Sequence, residues 1–174
     1  MKGILADLIS PKKLRHSLWY VALGILLLFL QDTVFSRLGL FGVKMLFLPA
    51  ACVAVGMEEG GTAGGLFGLL LGILGDMSFA ENTVLFTLLF PILGFLGGYA
   101  AEYWITRSYS SYLIAAGTAI LVTGLLQLFR MVVSQPGAIL SGLLVVIVQT
   151  LWSMPMAAAV YFPVRAIARK TASA

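Results

Sequence analysis

Residues 60–76 read GGTAGGLFGLLLGILGD, and this glycine-rich apolar stretch constrains the fold more than any other part of the sequence. Four of its members recur at every fourth position: Gly64, Gly68, Gly72 and Asp76. Residues four apart lie on one face of an α-helix, so the stretch predicts a helix whose side-chain-free groove ends in a carboxylate. Small residues let helix backbones approach closely, which matters in lipid because helix association there has no hydrophobic drive. Two interpretations stay open: packing inside this chain's own bundle, or contact with another protein.

A second small-residue face lies further along the chain, in the helix predicted over residues 82–101. Its members are Gly94, Gly97, Gly98 and Ala101. We expect this face to pack against the helix of residues 60–75. Asp76, at the outer end of that helix, also has two interpretations. A carboxylate in hydrocarbon is costly and usually functional, whereas near the interface it would cap a loop or pair with Arg130.

The composition indicates an integral membrane protein. Of the 174 residues, 60% are apolar and only 10% are Asp, Glu, Lys or Arg, whereas soluble domains carry about 25% charged residues. The mean hydropathy is +1.02, and so few charges cannot cover a water-exposed surface. The net charge of +4 suggests contact with the acidic headgroups of membrane lipid. Nucleic-acid binding is disfavoured, because no basic stripe interleaves with aromatic residues.

Charge-free windows locate the helices, since crossing about 30 Å of hydrocarbon takes roughly 20 residues. A Gln-Pro-Gly break at residues 135–137 divides the last apolar run. The windows predict six spanning helices, over residues 17–31, 45–57, 60–75, 82–101, 108–129 and about 138–164. The second could instead be a re-entrant or half-buried segment, which would leave five. The predicted fold class is all-α, a polytopic bundle over residues 17–165, with a short segment at residues 1–16 and a basic tail at residues 166–174.

Positive charges predict the orientation of this bundle. Six spans put two groups of basic residues on opposite sides, Lys2, Lys12, Lys13, Arg15, Arg107, Arg165, Arg169 and Lys170 against Arg37, Lys44 and Arg130. This asymmetry fits the positive-inside rule with both termini cytoplasmic. Without the second span the C-terminal basic cluster would lie outside, against the rule. No small-residue cleavage pattern follows the first apolar run, so we interpret that run as an uncleaved first helix.

No pattern typical of catalysis or metal binding appears in the sequence. Gly-x-Ser-x-Gly, Walker A and His-Glu-x-x-His are absent, and His16 has no second His or Cys nearby to complete a metal site. We therefore expect no enzymatic activity, no cofactor and no metal. The polar candidates on the predicted outer side are Gln31, Asp32, Gln127 and Arg130.

The segment from residue 31 to residue 98 resembles a known family. The resemblance is carried by a short basic N-terminus, a first helix ending in Leu30-Gln31, a second apolar segment, GGLFGLLLGILGDM at residues 64–77, and a glycine-bearing fourth helix with ILGFLGG at residues 92–98. The chain resembles MreD, the rod-shape-determining membrane proteins of bacteria. The resemblance implies a six-helix fold similar to the substrate-binding subunits of ECF-type vitamin transporters, in the bacterial cell membrane. It also implies a non-enzymatic role: binding an MreC-like protein and helping to organise RodA and a class B penicillin-binding protein in lateral peptidoglycan synthesis.

Two functions from different classes are compatible with these features. A scaffold would receive a partner's transmembrane helix in a groove or on a face, which needs small residues and shape. An ECF-type substrate-binding subunit would hold a vitamin or metal ion in an outer pocket of convergent polar groups, drawn from Asp32, Asp76, Glu81, Asn82, Gln127, Arg130 and Gln135. Such subunits usually dock their energising partner through Ala at four-residue spacing on the first helix, and VALGILL at residues 21–27 lacks that spacing. We therefore favour the scaffold.

Overall fold

The part of the chain that the structure describes is almost entirely helical. The computed structural model describes residues 11–35, 45–78, 84–104, 106–134 and 139–172. These residues form six α-helices and one π-helical turn: α1 (Pro11–Leu30), the π turn (Gln31–Phe35), α2 (Leu48–Glu59), α3 (Gly61–Ser78), α4 (Leu85–Tyr103), α5 (Tyr109–Ser134) and α6 (Ile139–Ala172). The all-α fold class predicted from the sequence is confirmed for these ranges.

Three of the helices are long and apolar enough to cross a membrane. They cover Leu85–Tyr103, Tyr109–Val133 and Ile139–Arg169, in α4, α5 and α6. Two further apolar helices are shorter, Ser17–Thr33 and Gly61–Met77. These lengths and compositions are compatible with a membrane protein.

Helix α2 lies at the centre, enclosed by the other five helices. Residues 48–57 are all buried, and α2 contacts α3, α4, α5 and α6 broadly and α1 over a short stretch. Small residues make this enclosure possible, because Ala, Gly, Cys and Pro occupy most of these ten positions. With twelve residues, α2 is about 18 Å long, well short of the about 30 Å of a bilayer core. The segment predicted over residues 45–57 is therefore a short helix surrounded by protein.

A single glycine separates α2 from α3. Gly60 has φ +100°, a left-handed conformation that favours glycine because a side chain is strained there. A Cβ built on Gly60 would meet nothing within 4 Å, so the requirement is for backbone conformation and not for space. The Gly60 N–H donates to the Gly56 carbonyl at 2.9 Å, which closes the end of α2. The chain can then reverse direction and begin α3 at once.

Two hydrogen bonds tie α2 to α1 at both ends. The Tyr20 hydroxyl donates to the Glu59 carboxylate at 2.9 Å, and the Phe47 N–H donates to the Gln31 side-chain oxygen at 3.3 Å. The early part of α1 therefore lies beside the end of α2, and the end of α1 lies beside the start of α2. The two helices run antiparallel over the same depth.

Tyr112 joins three helices at the centre of the fold. This α5 residue is fully buried, and its hydroxyl donates to the Ala157 carbonyl of α6 at 2.7 Å, with the Ala50 carbonyl of α2 at 3.5 Å. Its ring stacks on Tyr161 with centroids 4.9 Å apart. Since a buried phenol needs a partner for its O–H, these carbonyls specify how deeply α5 and α6 pack on α2.

Helices α5 and α6 extend past the ends predicted from the charge-free windows. The predicted ends were residue 129 and about residue 164, whereas α5 reaches Ser134 and α6 reaches Ala172. The tail predicted from residue 166 is thus helical as far as Ala172, because Ala and Arg favour helix and no Gly or Pro follows Pro163. The predicted break at residues 135–137 lies outside the described residues.

Candidate functional site: the glycine contacts and the ends of the buried helix

Gly68 and Gly72 of α3 lie directly against the backbone of α4. A methyl group built on Gly68 would overlap the Phe90 carbonyl and lie 2.8 Å from the Pro91 nitrogen. One built on Gly72 would lie 2.7 Å from the Thr87 Cα. Real Cβ atoms essentially never come within 3.0 Å of such atoms. Only glycine fits at these two positions while α3 and α4 stay where they are.

Gly64, Gly94 and Gly98 continue the same contact and bring in the central helix. A methyl group on Gly94 would lie 2.6 Å from the Gly64 carbonyl carbon, and one on Gly98 would lie 2.6 Å from the Gly60 carbonyl carbon. One on Gly56 of α2 would overlap the Gly94 carbonyl and lie 3.0 Å from the Gly98 nitrogen. Three helices therefore meet backbone to backbone at this point.

The groove predicted on α3 is filled by α4. An external helix could reach Gly68 or Gly72 only by displacing α4, so these glycines do not offer a groove to a partner. Of the two interpretations that the sequence allowed, internal packing describes Gly64, Gly68, Gly72, Gly94 and Gly98. The structure shows these glycines in internal packing, and the physical reason is that α4 carries a second glycine face complementary to the first.

Gly56 belongs to this contact and was missed by sequence reasoning. It lies eight residues before Gly64, so the four-residue spacing extends upstream to it through Gly60. Spacing alone would have placed Gly56 on the same helix face as Gly64. The left-handed turn at Gly60 instead puts it on a separate helix, packed against the same glycines from another side.

Asp76 caps the N-terminus of α4. Its Oδ1 accepts from the Phe86 N–H at 3.1 Å and its Oδ2 accepts from the Thr87 N–H at 2.8 Å. The residue before α4, Val84, supplies no side-chain cap. Asp76 on α3 therefore accepts the N–H groups that an N-cap side chain usually accepts. A carboxylate is also favoured at a helix N-terminus by the helix dipole. Of the two interpretations of Asp76, the structure shows a structural contact.

Side chains from two other elements accept hydrogen bonds from the two residues just before α2. The Leu46 N–H donates to the Ser153 hydroxyl of α6 at 2.9 Å, and the Phe47 N–H donates to Gln31 in the π turn. Gln31 is 3% exposed and Ser153 is 0% exposed. Ser153 was not among the residues singled out from the sequence. Its only signal was a hydroxyl in a charge-free helix, which does not reveal a partner 107 residues away.

The four polar candidates of the predicted outer side do not form one site in the described part of the chain. Gln31 is buried against α2, and Asp32 is partly buried in the same π turn. Gln127 is partly buried and Arg130 is exposed, both on α5. Between the described residues of α1 and α5 there is no extended contact. Gln31 and Asp32 therefore follow α1, whereas Gln127 and Arg130 lie on α5.

Asp76, Gln31 and Ser153 accept from backbone N–H groups at or just before the start of another helix. Within the described ranges, no three His, Cys, Asp or Glu side chains cluster as metal ligands would. Comparison with family models, with curated proteins and with solved structures finds no match for this chain. What the arrangement offers is a defined helical shape with apolar side chains on its outside.

We expect Gly68→Ala to destabilise the protein and Gly65→Ala to leave it unchanged or slightly more stable. Overpacking against the Phe90 carbonyl should lower the free energy of unfolding by about 1–3 kcal/mol. Gly65 is the matched control, because a methyl group there would lie 3.6 Å from the nearest atom, an ordinary contact. Thermal unfolding of the purified variants in detergent measures both. Equal stability of the two variants would contradict the backbone contact between α3 and α4.

Asp76→Ala should weaken the start of α4 specifically. Losing the acceptor of two N–H groups should cost about 0.5–2 kcal/mol, with Asp76→Asn intermediate because the amide keeps one acceptor oxygen. Hydrogen exchange would show faster exchange at Phe86 and Thr87. Asp32→Ala, on a partly buried carboxylate, is the control. Unchanged protection at α4 in Asp76→Ala would rule the cap out.

Proposed function

We propose that this chain is a multi-pass membrane scaffold of the MreD kind. In this role it binds an MreC-like protein and helps to organise RodA and a class B penicillin-binding protein during lateral peptidoglycan synthesis in the bacterial cell membrane. The resemblance over residues 31–98 motivates the partners, and the all-helical, apolar fold is compatible with the location.

The observation that carries the proposal is that polar side chains inside the bundle bind backbone N–H groups of other helices. Asp76, Gln31 and Ser153 each accept a hydrogen bond from the N-terminus of another helix. Side-chain oxygens committed to backbone N–H donors are not available for chemistry on a substrate. Many large apolar side chains face outward, which suits binding another membrane protein by shape and close packing.

Because α4 covers the glycines of α3, we expect a partner to dock on an outward face of the bundle and not in the glycine groove. Large apolar side chains project from each helix that surrounds α2; the most exposed include Leu66, Met77, Leu88, Ile114 and Leu140. In a bilayer such side chains contact either lipid or a partner helix. A scaffold can therefore bind its partner on one of these faces without rearranging the contact between α3 and α4.

The proposed layout has six membrane crossings with both termini in the cytoplasm. The antiparallel pairing of α2 with α1 supports it, because α2 then returns the chain across the depth that α1 covers. Basic residues gather where α2 ends: Arg107 reaches the Glu58 carbonyl at 3.5 Å, and Arg165 lies over the Tyr161 ring, which packs on Tyr109 at the start of α5. The positive-inside rule makes this end cytoplasmic.

Transport as an ECF-type substrate-binding subunit is the weaker alternative. That function needs polar groups that converge on one pocket. Asp76 is one of the groups considered for such a pocket, but both of its carboxylate oxygens accept hydrogen bonds from the backbone of α4. Gln127 and Arg130 lie on a different helix from Gln31 and Asp32, with no extended contact between those two helices in the described residues.

Cysteine labelling tests the six-crossing layout. In a Cys52→Ala background, chosen because Cys52 is fully buried, single variants Lys13→Cys, Lys170→Cys and Lys44→Cys are treated with a membrane-impermeant maleimide in intact spheroplasts. We expect labelling only at position 44, and labelling at positions 13 and 170 after lysis. Labelling of positions 13 and 170 from opposite sides would refute the layout.

Co-purification tests the scaffold. The tagged chain is expressed with the MreC-like protein of the same genome, and an unrelated single-span membrane protein of that genome serves as the control. We expect the chain to retain the MreC-like protein alone, and Gly65→Ala to retain it equally. Failure to capture it, together with binding of labelled thiamine, riboflavin or biotin to the purified chain, would favour transport instead.

A further inference from the structure

Two polar nitrogens near the N-terminus of α2 are buried without a hydrogen-bond partner. They are Nε2 of Gln31 and Nε1 of Trp152. Gln31 and Ser153 accept from the backbone N–H groups of Phe47 and Leu46, just before α2, and Trp152 is the chain neighbour of Ser153. We call Gln31, Trp152 and Ser153 the α2 polar cluster.

The α2 polar cluster contains two hydrogen-bond donor groups without an acceptor. The Gln31 amide can face the Phe47 N–H only with its oxygen, so the NH₂ group is the end left without a partner. The indole nitrogen of Trp152 is a donor only. The start of α2 adds the partial positive charge of a helix N-terminus. A buried donor left unpaired is costly, so the cluster favours any state that brings in an oxygen acceptor.

The backbone at Gln31 departs from the α-helix. Gln31 opens the π turn that follows α1, and π-helical turns often occur at functional sites. Helix α1 touches α6 over only a short stretch, less than the broad contact between α5 and α6. Neither unpaired nitrogen reaches solvent.

We propose that the α2 polar cluster binds the ester carbonyl oxygen of a membrane lipid that enters between α1 and α6. A carbonyl oxygen is neutral and has two lone pairs, so it can accept from neutral donors of this kind without the cost of burying a charge. The depth of the lipid ester groups in the bilayer also fits the position of Gln31. The charge-free run Ser17–Leu30 is only about 21 Å long, whereas the hydrocarbon core is about 30 Å thick. A short helix thins the bilayer around it, which brings the lipid ester groups towards Gln31.

The experiment compares two phospholipids that differ only in the ester. A diacyl phosphatidylglycerol and its diether analogue share headgroup and chain length, but only the diacyl lipid has carbonyl oxygens. Each is added to the purified full-length chain in detergent, and thermal unfolding and lipid retention by native mass spectrometry are measured. We expect the diacyl lipid to raise the melting temperature more and to be retained roughly three- to tenfold better, the range for a hydrogen bond or two.

Two variants locate the effect. Trp152→Phe removes only the indole donor and should abolish the preference for the diacyl lipid, whereas Trp104→Phe, on an exposed tryptophan, should keep it. Gln31→Glu retains an oxygen for the Phe47 N–H but replaces the NH₂ donor, so it should lose the preference too. If one of these two variants fails to fold, the other decides the test.

Three results would overturn the proposal. Equal stabilisation by the two lipids would mean that no carbonyl is recognised and that at most a water molecule occupies the cluster. A preference that survives in Trp152→Phe would place the carbonyl elsewhere on the protein. Displacement of the retained lipid by a soluble carboxylate such as biotin would identify a small molecule as the acceptor. The proposal does not depend on capture of an MreC-like protein, so the two can fail separately.

Discussion

The fold depends on burying the backbone of α2, a helix of only twelve residues, at the centre of the molecule. A buried helix has to satisfy the N–H groups of its first turn and the carbonyls of its last. Here Gln31 and Ser153 accept from Phe47 and Leu46 at one end, and Gly60 closes the other. Because small residues dominate α2, the surrounding helices can approach closely enough to exclude both water and lipid.

The glycine contact between α3 and α4 is the second feature that holds the bundle together. In lipid, helices associate through close packing and hydrogen bonds, and glycine maximises the number of atoms in contact by removing the side chain between two backbones. Gly68 facing the Phe90 carbonyl and Gly56 facing Gly94 are such contacts. A surface that achieves this inside the chain is no longer available outside it, which is why the proposed partner is placed on the outward apolar faces.

Polar side chains inside an apolar bundle are usually taken as signs of function. In this protein several of them serve the helices themselves, because each helix end enclosed by protein needs acceptors or donors that water would otherwise supply. Asp76 does this for α4 and Tyr112 for the packing of α5 and α6 on α2. The functional candidates are then the groups that this structural demand leaves over, such as the free amide nitrogen of Gln31 and the indole of Trp152.

The sequence by itself determined the helical class, the separation of the helices predicted over residues 45–57 and 60–75, and the glycine face of α3, because hydropathy and four-residue spacing are local properties. It left open what that face meets and what Asp76 does. The tertiary structure decided that α4 fills the groove, that Gly56 joins it from another helix, and that Ser153 caps a helix 107 residues away. Periodicity fixes which residues share a face, but only the packed arrangement of all helices selects the partner of that face.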